Sequence, residues 1–185
     1  WRPRIMASIL KVNEIQDISG KKILQNTGGI LQVVQKIDTA VTTVSNTGSN
    51  ATFVTFGSLS QAFTPTSSSS KVLLKATIGM CSTNTADRLA FFRFSGGNSG
   101  DGIGAADGSR SRVLAAHYFE SGSDGSAFQF EYLDSPATAS EITYKVEVAP
   151  NFSSGNLFLN RYTNDTDAAY IPRAASCLTI MEISA

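Results

Sequence analysis

The sequence predicts an all-β protein, an antiparallel β-sandwich of jelly-roll-like kind with a short N-terminal segment, on three observations. From Leu31 onward apolar residues recur with a period of two, and no segment of the main domain carries a convincing 3.6-residue period. These runs return roughly every 8–12 residues between turn-forming residues, the spacing of an antiparallel sandwich. Only 16% of the residues are charged, against about 25% in an ordinary soluble domain, while Gly, Ser, Thr and Asn are plentiful.

The 185 residues suffice for one domain with a small appendage. Met6 and the residues after it look like a start, so Trp1–Ile5 reads as an upstream extension or a cloning remnant. From Ser8 to Thr27 short apolar pieces carrying Ile9, Leu10, Val12, Ile15 and Ile18 alternate with polar residues, and Gly20–Lys22 turns the chain into Ile23 and Leu24. This stretch is too short to build a core, so the main domain, another copy or a larger particle must cover it. A helix over Ser8–Asp17 competes with the extended reading, against the β-branched residues that recur there. Asn26–Gly29 is a flexible break that divides residues 1–28 from a sandwich of residues 29–185.

In the main domain, Leu31–Ile37 alternates as a first strand, and the polar stretch Thr39–Asn50 reads as a loop. Phe53–Phe56 and Leu59–Thr64 flank Gly57 and Ser58, a hairpin signal. After the loop Pro65–Ser70, the strand Lys71–Met80 sends Val72, Leu74, Ala76, Ile78 and Met80 to one face. Arg88–Phe94 and Arg112–Phe119 are apolar on both faces, and between them Ser95–Arg110 has too much glycine for regular structure. Phe128, Phe130 and Tyr132 alternate next. Glu141–Val148 is the cleanest case, with Ile142, Tyr144, Val146 and Val148 inward. Leu157–Arg161 is short. The last strand, within Ala174–Ala185, is apolar on both faces, belongs inside a sheet and matches Lys71–Met80 best as a neighbour.

That makes about nine or ten strands, with more apolar faces than one isolated sandwich can cover. The surplus at Phe92, Phe94, Leu114 and Tyr118 points to an oligomer axis. The exposed glycine-rich loop offers Asn98, Asp101, Asp107 and Arg110 to a partner.

Fifteen basic against fifteen acidic residues leave no excess charge for nucleic acid or anionic lipid. No apolar run approaches the ~20 residues of a membrane span, and no signal-peptide core is present, which reads as a protein made in a cytoplasm. Cys81 and Cys177 fit no zinc pattern and read as buried hydrophobes, though neighbouring strands would let them approach. His117, the only histidine, lies mid-strand without a nucleophile elbow and reads as a packing or interface residue. Asp101, Asp107, Glu120 and Asp124 sit near glycine-rich turns, where turn formation explains them better than paired catalysis. Gly102–Gly108 misses the dinucleotide-loop spacing by one residue. Asn164–Asp167 lacks the Gly and the terminal Glu of a calcium loop and reads as an Asx turn.

Four passages carry a resemblance: Met6–Asp17 (MASILKVNEIQD) with Ser19 and Gly20 after it, Gly28–Gln35 (GGILQVVQ), the Asp134–Thr138 turn before Tyr144, and the closing Met181–Ile183. They resemble virion structural proteins of marine tailed bacteriophages, of cyanophage and pelagiphage type, often described as tail-fibre-like. The resemblance runs over nearly all of Met6–Ala185. It implies a non-enzymatic homotrimer in the virion, without a cofactor, whose N-terminal segment docks on other virion proteins while a β-rich head faces outward. Ile9, Leu10, Val12, Ile15 and Ile18 would then be docking residues, the Ser95–Arg110 loop with Asn98, Asp101, Asp107 and Arg110 the receptor-facing surface, and a host glycan or protein the outer partner. A capsid or tail decoration protein is the alternative, and a capsule depolymerase a distant third.

Overall fold

Residues 14–16, 22–25, 28–46, 52–151 and 154–185 are described by a computed structural model. Twelve strands are formed among them. β1 (Glu14–Gln16) and β2 (Lys22–Gln25) make a separate antiparallel hairpin that pairs Ile15 with Leu24. Ile15 is thus in a strand, not the competing helix. Ile9, Leu10, Val12 and Ile18 lie outside the described residues.

The remaining ten strands are β3 (Ile30–Asp38), β4 (Thr42–Asn46), β5 (Val54–Phe63), β6 (Lys71–Thr83), β7 (Arg88–Ser95), β8 (Ala115–Phe119), β9 (Gly125–Asp134), β10 (Ile142–Asn151), β11 (Gly155–Leu159) and β12 (Ser176–Ile183). The small sheet has the order β5-β10-β7-β8. In the large sheet β12 lies between β3 and β6, and β9 takes the other edge of β6, because both pair with the same residues, Val72–Thr77. The principal orders are therefore β3-β12-β6-β9 and β5-β10-β7-β8, all antiparallel. The chain passes between the sheets in the double Greek-key sequence of a jelly roll. The expected pairing of the last strand with Lys71–Met80 is the centre of this arrangement.

Alternation explains the core. Val72, Leu74, Ala76 and Ile78 of β6, Leu178 and Ile180 of β12, and Tyr144, Val146 and Val148 of β10 are all fully buried between the sheets. Phe92 stacks edge-on against Phe128 at 4.9 Å between ring centres, and Phe94 meets Phe130 at 5.1 Å. Such interlocked rings add to the apolar burial.

The departures from expectation are mostly bulges. Gly57 and Ser58 do not turn a hairpin; they bulge within the continuous β5, where the register with β10 jumps from Ser60 to Thr55. Gly57 takes φ +64°, and the freed Ser58 N–H donates to the Asp38 carboxylate at 2.7 Å. A second bulge at Gly79 and Met80 turns Met80 out of the core and Cys81 into it. A side chain at Gly79 would strike the Ala175 carbonyl oxygen. The expected loop Thr39–Asn50 contains β4, an edge strand paired with β11 whose sequence TTVSN is polar but for Val44, which packs against the core. Regular pairing of β8 begins only at Ala115, three residues later than expected. Gly28 and Gly29, expected as part of a flexible break, are fastened to Ser184 by hydrogen bonds of 2.9–3.0 Å.

Two buried polar groups hold the large sheet together. β11 and β12 lie end to end along one edge of β6, with β4 and β3 beyond them. Asn160 fills the junction. Its N–H donates to Met80 O, its side-chain amide donates to Asp38 O at 2.8 Å and Ala40 O at 3.0 Å, and its amide oxygen accepts from the Ser176 hydroxyl at 2.7 Å. Its φ of +63° is one that Asn tolerates better than most residues. At the lower end of the sheet, fully buried Glu182 accepts from the Thr66 N–H and hydroxyl and from Gln32. Burial alone would raise this carboxyl. Hydrogen bonds from Thr66, Ser70 and Gln32 outweigh it and bring the group from 4.5 down to about 2.

Two outcomes follow. Asn160→Gly keeps the backbone conformation but removes three side-chain hydrogen bonds, so urea unfolding should show a loss of about 3 kcal/mol; wild-type stability would sink the junction's importance. Glu182 has a folded value below its unfolded one, so its contribution is complete above about pH 4.5 and is lost as the pH falls toward 2. Acid unfolding should steepen in that window, and Glu182→Gln should flatten it.

Candidate functional site

The outer face of the large sheet is the most unusual surface among the described residues. Strand alternation places Val33, Met181, Leu73 and Leu133 there in direct register across β3, β12, β6 and β9. The next row is Gln35, Thr179, Lys75 and Glu131, and the one after is Ile37, Cys177, Thr77 and Gln129. Val33 is 54% exposed, Ile37 57% and Leu133 49%, and Ile30 and Leu31 extend the apolar area where the chain enters β3. No described residue covers this face. Sequence reasoning saw that β3 and β12 were apolar on this side; it missed Leu73 and Leu133, whose place in the row depends on register.

The glycine-rich segment is pinned at its base. Asp134, fully buried at the end of β9, accepts from the Tyr144 hydroxyl at 2.7 Å and from the Asn98 and Ser135 N–H groups. Burial, then the bond to Asp134, pushes the Tyr144 phenol above its ordinary range, so it stays a donor. The Asn98 side chain donates to Ser135 O at 2.7 Å, and Asp101 closes a single 3-10 turn, Ser99–Asp101. Beyond it Gly104 N–H donates to Val113 O, and Arg112 donates to Gly104 O, closing a stalk. At the tip, Asp107 and Arg110 form an exposed ion pair of 2.6 Å around Gly108. Of the four residues expected to face a receptor, Asp107 and Arg110 come together at the tip, while Asn98 is engaged in fixing the base.

This base lies beside Asp134 and Ser135, at the end of the large sheet where β3 begins and β12 ends. The glycine-rich segment and the N-terminal segment therefore leave the sandwich at the same end. The opposite end carries the turns at 84–87 and 120–124, where the Tyr118 hydroxyl donates to Asp87 at 2.8 Å.

The expected interface of Phe92, Phe94, Leu114 and Tyr118 does not form one surface. Phe92 and Phe94 are 0% and 1% exposed and face the opposing sheet within the same chain, so neither has surface left for an axis. Leu114 packs partly buried against this core and donates its N–H to Phe92 O; Tyr118 is exposed. The reason is that the second apolar face of β7 is also covered internally: Phe91 is 8% exposed, and Arg93 lies 4.0 Å over the Phe53 ring and pairs with Glu147 at 2.7 Å. His117 faces inward, stacked on Phe128 at 5.0 Å and edge-on to Phe119, a packing arrangement. Burial lowers its pKa against the opposing pull of Asp124. Cys81 and Cys177 are unpaired and lie on opposite faces of the large sheet. Asn164 accepts from the Thr166 N–H in an Asx turn, and Asp165 is engaged by Arg173 at 2.6 Å. No helix among the described residues is long and apolar enough to cross a membrane.

No protein-family model and no curated protein sequence matches the chain. Among solved structures, a chain in the structure of infectious bursal disease virus Gx strain is similar at 12% identity and a TM-score of 0.29. The match covers 80% of this chain and 37% of that one, so this chain spans well under half of its neighbour's length.

The anchoring separates base from tip in stability. Replacing residues 105–112 by a short glycine link should change the free energy of urea unfolding by less than about 0.5 kcal/mol. Asp134→Ala should cost about 3 kcal/mol, because it leaves the buried Tyr144 hydroxyl without its acceptor. Equal losses in both variants would refute the division.

Proposed function

We propose that this protein is a non-enzymatic structural component of a tailed-bacteriophage virion, a homotrimeric fibre or tail-associated protein built on a jelly-roll head. The observation that carries this reading is the coupling of a tightly pinned sandwich to an exposed apolar sheet face, the form of a module that works by being packed against other protein. The sequence resemblance to tail-fibre-like virion proteins supports the same role. Residues that first suggested chemistry have structural uses: His117 in packing, Asp107 in an ion pair with Arg110, Asp124 in accepting from the Ser121 N–H and Asp165 in an ion pair with Arg173.

The N-terminal segment docks on the particle. The end opposite the start of β3, with its turns at 84–87 and 120–124, is then the one that faces a host glycan or protein. The glycine-rich loop, leaving at the docking end, contacts virion neighbours. A decoration protein is the second reading, favoured by the breadth of the apolar face, which a neighbour in a shell would cover.

Antibody raised against the folded head and imaged on purified particles should label fibres or the tail. Label spread over the capsid would replace the fibre with the decoration protein, and particles without label would remove the virion assignment.

A further inference from the structure

We infer that the excursion between β11 and β12 holds a binding site for a neutral sugar ring, lined by Asp165, Thr166, Asp167 and Arg173 and flanked by Tyr170. The site deepens the proposed function, on which its host-facing role rests, by making the outer partner a glycan. The excursion starts at the host-facing end, where the Thr163 hydroxyl donates to Thr83 O at 2.6 Å and the Ser82 hydroxyl to Arg161 O at 2.9 Å.

Internal bonds hold the site open. Arg161 stacks over Phe158 at 3.7 Å, donates to Tyr162 O and Thr163 O, and lies 3.8 Å from Asp165. Arg173 pairs with Asp165 at 2.6 Å, and its backbone bridges that of Arg161. Ala168 and Ile171 supply an apolar wall through a turn closed by the Ile171 N–H on Ala168 O at 2.9 Å. The cavity so formed is about 220 Å³. That is the volume of roughly seven waters at ~30 Å³ each, short of the ~300–1,000 Å³ of sites for drug-sized molecules. One ring fits; an extended peptide does not.

Charge selects a neutral ligand. Arg161 and Arg173 offset Asp165 and Asp167, so the surroundings as a whole favour neither an anion nor a cation. Among the described residues no group of three or more His, Cys, Asp or Glu is placed to hold a metal ion. Phosphate would have to take Arg173 from Asp165. Hydroxyl groups displace nothing. Asp167 has no partner among the described residues, and Arg173 keeps N–H groups beyond the one given to Asp165. The Thr166 oxygen, whose proton goes to Asn164, still accepts. Neighbouring donors and acceptors suit the adjacent hydroxyls of a sugar, each of which does both. Tyr170, in the turn between Ala168 and Ile171, is 80% exposed, the most of any large apolar or aromatic residue described. The negative face of its ring attracts the C–H groups that line one side of a sugar.

The test is saturation-transfer NMR of the full chain with glucose, galactose, mannose and N-acetylglucosamine, each alone. At least one sugar should take up saturation from the protein. Asp167→Ala and Tyr170→Ala should each weaken that binding at least fivefold, while Tyr118→Ala, at an exposed ring on the other sheet, leaves it unchanged. Both site residues are exposed, so neither substitution opens the core; should one variant misfold, the other decides. Binding that survives substitution, or that Tyr118→Ala abolishes, overturns the site. So does the absence of transfer to all four sugars, which leaves the host-facing end to a protein partner. None of these outcomes bears on the virion role: particles without antibody label would remove that role and leave the sugar site standing.

Discussion

The seam between β11 and β12 in the large sheet depends on one buried side chain, Asn160. β6 is thirteen residues long, and one of its edges is covered by two short strands laid end to end, β12 and then β11. Such a seam interrupts the hydrogen-bond ladder inside the molecule, where water cannot repair it, and each unmet backbone group there would cost about 1–3 kcal/mol. Asn160 closes the seam because its amide both donates and accepts, and because Asn accommodates the left-handed backbone that ends β11. Leu or Ala would offer neither. The chain leaves the sheet after Asn160 and returns at Ser176 to the same hydrogen-bond cluster, so the excursion between them is closed at its root.

The same device recurs at the sandwich margins. Asp38 accepts from Ala40 and Ser58, Glu182 from Thr66 and Gln32, and Asp134 from Tyr144, Asn98 and Ser135. Each carboxylate gathers donors from a loop or bulge that has lost its ladder partners. Rigidity at these points comes from satisfied charge in a low-dielectric setting, and it lets irregular backbone sit against the core without strain being spread through the strands.

What could be read in the sequence was what alternation alone encodes. β10, β6 and β12 were legible because Tyr144, Val146 and Val148, or Leu178 and Ile180, declare a face without any knowledge of the partner. Gly57 and Gly79 were not, since a bulge and a turn use the same residue, and only the Asp38 carboxylate or the close Ala175 carbonyl distinguishes them. β4 was hidden for the opposite reason: a polar edge strand has no pattern until β11 is beside it. The misassigned interface at Phe92 and Phe94 has the same origin. Counting apolar faces put the surplus on β7 and β8, whereas Phe53, Arg93 and Glu147 cover the back of β7 and the exposed apolar residues lie at Val33, Ile37 and Leu133.

The surplus face and the anchored loop are tied by a single step of strand alternation. Leu133 points out into the apolar row, and the next residue, Asp134, points in to hold Tyr144 and the base of the glycine-rich segment. Any load carried by the outer face at Leu133 therefore acts on a backbone whose neighbouring carboxylate fixes the loop. β3 begins at that same end, at Ile30 opposite Ile183, and its Gly28 and Gly29 are bonded to Ser184. One end of the sandwich thus brings together where the N-terminal segment joins, the foot of the loop and the head of the apolar row. The other end carries the turns at 84–87 and 120–124 and the start of the excursion after Asn160, where Thr163 donates to Thr83 O and Arg161 O accepts from Ser82, away from Asp134 and Glu182. Strand order and side-chain alternation thus place Asp134, Glu182 and the entry into β3 at one end of the sandwich.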